Sequence, residues 1–199
     1  MNTFCVADWH LGETRFELMG RPFATKNHHV SHIVNEHNMI VHVDDLVYVN
    51  GDAIYQGSPE SLPLIAKLNG RKILIRGNHD RVFTDEQLAP YFEQIIPEGQ
   101  GIELDVAGIP CYITHYPTKS KKDRFNLVGH IHGIWKLQLN SLNVGVDVHH
   151  FRPVNINKIP FYFKAIQEFY DEDAWAAYNE INSQFVGKRG KKGTYFSKI

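Results

Sequence analysis

Cysteine, long apolar runs and any excess charge of one sign are what this chain has little of. Only Cys5 and Cys111 occur among its 199 residues. Each lies inside an apolar, strand-like run and they show no CxxC spacing, so a disulfide framework and a cysteine metal site are both excluded, and the pair reads as small buried hydrophobes. No apolar stretch approaches the roughly 18 residues that a membrane-spanning helix needs. The opening residues, MNTFCVADWH, lack a basic region followed by an apolar core. They read as a first strand rather than a signal peptide, and the expected location is the cytoplasm. Lys and Arg total 21 against 22 Asp and Glu, a net charge of -1. That balance gives no global field to recruit nucleic acid or an anionic membrane, so any polyanion contact must be local.

The length fits a single domain over residues 1–199, with 186–199 as a basic tail. Strand and helix alternate in the first half. TFCVAD reads as a strand, TKNHHVSHIVNEHNMIV as a helix capped by Thr25, DLVYVNGD as a strand, SPESLPLIAKL as a helix opened by Ser58 and Pro59, and RKILIRGNHD as a third strand. This order predicts a largely parallel sheet. A short helix at TDEQLAPYF follows, and then the chain turns strand-rich. GIELDVAGIPCYITHYP forms two strands, FNLVGHIHG, WKLQLN and LNVGVD add shorter ones, and a last helix is expected at EDAWAAYNEINSQF.

Histidine is the unusual presence: 12 residues, of a type that commonly ligates transition metals and exchanges protons near neutral pH. Several of them end strands. ADWH, NGD, GNHD, ITHYP and VGHIHG each close a strand with polar residues, and in open α/β sheets ligands bind at the carboxyl ends of strands. Asp8, His10, Asp52, Asn78, His115, His130 and His132 therefore form one candidate ligand set. Carboxylate, amide and imidazole donors without thiolate suit Mn, Fe, Zn or Ni. Other histidines carry less. His28, His29, His32, His37 and His42 read as solvent-facing positions of the first helix, with His28 or His29 able to reach a substrate only if the preceding loop folds over the cleft. His149 and His150 read as supporting residues, Lys121, Lys122 and Arg124 as a solvated charge run.

In order and approximate spacing, Asp8-x-His10, Gly51-Asp52, Gly77-Asn78-His79-Asp80, Thr114-His115 and Gly129-His130-x-His132 resemble the five motifs of the calcineurin-like metallophosphoesterases. GRPF, DDLVYVNGD and LNVGVDV add a likeness to the small bacterial and phage-type members. The resemblance implies a four-layer αββα sandwich of two mixed β-sheets flanked by helices, with two divalent metal ions, Mn first, between strand ends. It implies that Asp8, His10, Asp52 and His132 hold one ion, and that Asp52, Asn78, His115 and His130 hold the other, with Asp52 bridging. It further implies that a metal-bridging hydroxide attacks phosphorus while His79 acts as general acid, oriented and held protonated by Asp80. The substrate expected is a small phosphoester or nucleotide, diesters ahead of monoesters. GDAIYQG lacks the arginine of the family's GDxVDRG, which speaks against a serine/threonine phosphoprotein phosphatase and leaves the phosphate anchor unassigned. Two rivals stand beside this reading. One is a nuclease or end-processing phosphatase, with Lys188, Arg189, Lys191 and Lys192 meeting phosphates; the other is a metal-binding scaffold in a protein complex. The full ligand set and His79 argue against the scaffold.

Overall fold

Strand β1 (Thr3–Val6), helix α1 (Lys26–Asn38), strand β2 (Leu46–Val49), a 3₁₀ helix at Pro59–Lys67 and strand β3 (Arg71–Ile75) follow one another in the computed structural model, which describes residues 1–138 and 140–169. After them come α2 (Asp85–Leu88), β4 (Gln94–Ile96), β5 (Gly101–Val106), β6 (Ile109–Thr114), β7 (Phe125–Val128), β8 (Leu137–Gln138), β9 (Ser141–Asn143), β10 (Val154–Asn155) and α3 (Ile159–Phe169). Two mixed five-stranded sheets result, in the orders β10-β1-β2-β3-β4 and β5-β6-β7-β9-β8. In the first, β1 to β4 run parallel and β10 is antiparallel to β1. In the second, β6, β7 and β9 run parallel and β5 and β8 are antiparallel edges. The expected fold class is thus the one the chain adopts.

Side chains alternate across a strand, and this alternation divides the interior into two cores. Phe4, Val6, Val47, Val49 and Leu74 face α1 and the 3₁₀ helix, where Val30, Ile33, Leu62 and Ile65 meet them. Cys5 and Ile75 face the other way, onto Cys111, Ile113, Phe125, Leu127 and Leu142 of the second sheet, and Ile159 and Ile166 of α3 join that core. The central strands are therefore apolar on both faces, as strands covered on both sides must be. Both cysteines are free and buried, and burial pushes the Cys111 thiol up to about 11.

Three expectations need correction. The second helix is 3₁₀ rather than α, and Ser58 makes no side-chain cap. Pro63 lies inside it and has no N–H for an α-helical bond. His29 and His37 are fully buried rather than solvent-facing, because the inward stripe of α1 runs His29, Val30, Ile33, His37. His37 Nε2 lies 2.9 Å from the Asn69 carbonyl, while Phe16 and Phe23 pack against His29, which takes it away from any substrate. Strands β4 and β10 and helix α3 were not anticipated. The helix expected at 172–185 and the basic tail lie outside the described residues. No helix among the described residues is long and apolar enough to cross a membrane.

Candidate metal centre

The loops that leave β1 and β2 zip together before their side chains turn outward. Asp8 N–H donates to the Gly51 carbonyl at 3.0 Å, His10 N–H to Asp52 at 2.9 Å and Leu11 N–H to Ala53 at 3.0 Å. Asn50 ties this pair to the second sheet: its Nδ2 donates to the Thr114 and Leu127 carbonyls at 3.0 and 3.1 Å. The ends of four strands from two sheets are thereby held at one place.

The backbone there is strained. Asp8, His10, Asp52, His130 and His132 adopt φ of 61°, 48°, 54°, 74° and 48°, a region that non-glycine residues seldom enter and that costs on the order of 1–3 kcal/mol each. Five of the seven candidate ligands pay this conformational cost, which directs their side chains to a common point.

All seven converge. Ligand atoms of Asp8, His10 and His132 lie within 4.8 Å of one another, as do those of Asp52, His115 and His130. Asp52 Oδ2 is 3.5 Å from His10 Nε2 and 3.5 Å from His115 Nε2, midway between the two groups. Asn78 Oδ1 is 2.9 Å from His130 Nδ1 and 3.4 Å from His115 Nε2. His79 also joins His10 and Asp52 in a third such group.

Several of these atoms are poised for a cation. Both ring nitrogens of His10 are buried without a hydrogen-bond partner, an arrangement that is unfavourable unless something else satisfies them. His115 Nδ1 donates to the Asn50 carbonyl at 2.8 Å, which fixes the tautomer and leaves Nε2 facing Asp52. His132 Nδ1 is 2.9 Å from Asp147 Oδ2, the carboxylate–imidazole contact that orients a metal-ligating histidine. Buried oxygens and imidazoles with no thiolate fit a pair of divalent ions.

The charges reflect the crowding. Burial pushes the Asp8 carboxyl up to about 7. Burial would also raise Asp52, but His115 and His10 hold its carboxyl well below the usual range. Burial opposes charging of His115, yet Asp52 lifts it to about 9.

Asp80 does something other than expected. Its carboxylate accepts from Asp52 N–H at 2.7 Å, Gly77 N–H at 2.9 Å and Ala53 N–H at 3.0 Å, and no hydrogen bond to His79 is found among the described residues. It staples the loop carrying Asp52 to the loop carrying Asn78, because its donors Asp52 and Ala53 belong to one loop and Gly77 to the other. His79 instead accepts from Gln56 N–H through Nδ1 at 3.4 Å. Burial holds its imidazole below the ordinary value.

Arg21, Asp147, Asn50 and Asn143 had been given no role. Arg21 pairs with Asp147 at 2.7 and 2.9 Å and donates to the Trp9 and Asp8 carbonyls. Asn143 Nδ2 donates to the His132 carbonyl at 2.7 Å and the Trp135 carbonyl at 2.8 Å, which pins the loop carrying His130 and His132. Their signal was present in GRPF, VNGD and LNVGVDV. What hid it is that a supporting side chain is defined by whom it touches. His149, by contrast, is structural as read: it is buried and its Nε2 meets the Asn143 carbonyl at 2.7 Å. Lys121 and Arg124 pair with Glu103 at the edge of the second sheet.

A family model described as calcineurin-like phosphoesterase matches residues 1–182. An uncharacterized protein of Methanocaldococcus jannaschii is 24% identical over 169 residues, 78% of this chain and 88% of that one. Among solved structures, a protein of unknown function from Aquifex aeolicus superimposes with a TM-score of 0.61 at 19% identity, covering 80% of this chain and 98% of its own, and so shares the fold. A structure reported as an archaeal phosphodiesterase gives a TM-score of 0.41 at 19% identity over 73% of this chain and 82% of its own.

Proposed function

The chain belongs to the calcineurin-like phosphoesterase family and is a metal-dependent phosphoric ester hydrolase; we propose that it hydrolyses small phosphodiesters in the cytoplasm. In this reading Asp8, His10, Asp52 and His132 hold one divalent ion and Asp52, Asn78, His115 and His130 a second, with manganese the ion of choice. The observation that carries it is the Asp52 carboxylate, whose Oδ2 is 3.5 Å from imidazole nitrogens of both groups, so that Asp52 would belong to both ligand sets. When bound, two such ions supply Lewis acidity toward the phosphoryl oxygens and toward water.

The remaining work falls to the chain's own side chains. His79 stands beside His10, ring centroids 4.5 Å apart, and gives a proton to the departing ester oxygen. Asp80 keeps the two ligand-bearing loops in register rather than acting on His79. Arg15 stands next in line beyond Tyr55: its guanidinium lies 4.6 Å from the centroid of the Tyr55 ring, which is 5.7 Å from that of His79, and it pairs with Glu13 through Nε and Nη2 at 3.1 Å each, which leaves Nη1 for a ligand. We assign it the anchoring of a phosphate oxygen, the task left open by the missing arginine of GDAIYQG.

The test is purification without added metal, elemental analysis after reloading, and turnover of bis(p-nitrophenyl) phosphate against p-nitrophenyl phosphate with Mn²⁺. Two ions per chain and faster diester turnover are expected. A metal-loaded protein that turns over only the monoester removes the diester assignment.

A further inference from the structure

Beside the candidate metal centre lies a cleft of about 710 Å³, within the size range of sites that enclose a small ligand. His130 and His132 form the wall it shares with the cluster, and Leu18, Met19, Pro22, Ile131, Ile134 and Phe151 supply its apolar lining. Leu18 and Ile134 leave 77% and 78% of their surface in water. Exposed aliphatic side chains flanking a polar site mark a surface that another apolar group covers.

The cleft is also electrically closed. Arg21 and Asp147 are its charged lining residues apart from the histidines, and a guanidinium has five N–H groups. Nε and one N–H of Nη2 go to Asp147, the other of Nη2 to the Asp8 carbonyl, and those of Nη1 to the Trp9 carbonyl and His29 Nε2. No N–H is left for a ligand. Such a wall offers nothing to a second phosphate or to a nucleic-acid backbone, which require free cations. An uncharged group suits it.

We infer that this cleft binds the organic ester group of the substrate, and that this group is uncharged and large enough to cover Leu18, Ile134 and Phe151. The inference rests on the phosphoesterase reading above, with the phosphoryl group at the metal centre. Seated there, this group lies against Leu18, Ile134 and Phe151, with the phosphoryl group on the side of His130 and His132.

The test is calorimetric titration of the Mn²⁺-loaded protein with thymidine 5′-monophosphate and with methyl phosphate, which share the phosphoryl group and differ in the alcohol. The nucleotide should bind on the order of tenfold more tightly, the discrimination that a hydrophobic pocket commonly gives. In the double variant Leu18→Ser, Ile134→Ser that advantage should fall to within about twofold, with methyl phosphate affinity unchanged, since both side chains are exposed, their replacement leaves the core intact and no charge is added. Salt should not change the ratio. Equal affinity for both ligands in the unmodified protein overturns the cleft assignment alone. So does a ratio that survives the double substitution, or one that collapses in salt. A double variant that changes oligomeric state while keeping the ratio overturns it too, and assigns the patch to contact between copies. Failure of either phosphate to bind the loaded protein removes the phosphoesterase reading together with this one.

Discussion

Gly77 gives the sharpest test of the geometry, because a single added carbon at that position points into the cluster. A Cβ built there would lie 2.3 Å from Asp52 Oδ1, 2.7 Å from His115 Nε2 and 2.8 Å from Asp52 N. Gly77 is absent from the residues with positive φ, so the effect of Gly77→Ala is steric and not one of backbone strain. Ordinary contact begins near 3.4 Å, so the Asp52 carboxylate must retreat by about 1 Å, and its hydrogen bond from His79 N–H, now 2.8 Å, must lengthen. Overpacking of this kind costs about 1–3 kcal/mol, which for a domain of this size lowers Tm by roughly 2–12 °C. Turnover should suffer more. A displacement of about 1 Å at a reacting centre costs on the order of 100-fold, and here the displaced carboxylate is the one that lies 3.5 Å from both His10 and His115. The assay is kcat on bis(p-nitrophenyl) phosphate with saturating Mn²⁺, beside a thermal melt. A variant that retains turnover within about threefold refutes the claim that Asp52 at its present position organises the centre.

Four further outcomes follow from the same contacts. His79→Gln should keep its metals and lose most turnover on esters with poor leaving groups, while p-nitrophenyl esters, which leave readily, should suffer less; equal loss on both removes the general-acid role. Asp147→Asn takes away the carboxylate that orients His132 and leaves the Arg21 charge, 1% exposed, without its partner. Affinity for one of two ions should fall 10- to 100-fold by chelator competition, and stability by about 3–5 kcal/mol in denaturant titration. Arg15→Ala should raise KM and leave metal content as it was, and an unchanged KM places the phosphate anchor elsewhere. Metal affinity should rise with pH. His115, lifted to about 9, and Asp8, raised to about 7, carry protons in the metal-free protein below those values, and those protons must leave when a cation enters. Competition against a chelator of known pH dependence should show this rise from pH 6 to pH 9, with proton release in calorimetry; a flat profile contradicts it.

The order of elements in the first half was legible because each signal was local. Thr25 caps α1 as expected, accepting from His28 N–H at 3.1 Å, and Ala107–Gly108 turns β5 into β6 inside GIELDVAGIPCYITHYP, the stretch that reads as two strands. The candidate ligands were legible for a related reason: a polar residue that ends an apolar strand is conspicuous against packing preferences. The run RGNHD is the clearest case, since Gly77, Asn78 and Asp80 each oppose strand formation. Strands β4 and β10 escaped because three and two residues carry no usable period, and both depend on partners already in the sheet.

What the sequence determined by itself, then, was the parallel first sheet, the strand-rich second half and the residue types that could share a metal site, all of which depend on neighbours along the chain. Only the tertiary structure decided which side of α1 is buried, that Asp80 holds backbone rather than His79, and that Arg21 and Asp147, 126 residues apart, close a network around His132. Those outcomes depend on distance in space. A carboxylate's partner is whichever donor the fold brings within about 3 Å, and for Asp80 three backbone N–H groups came closer than the imidazole next to it in sequence.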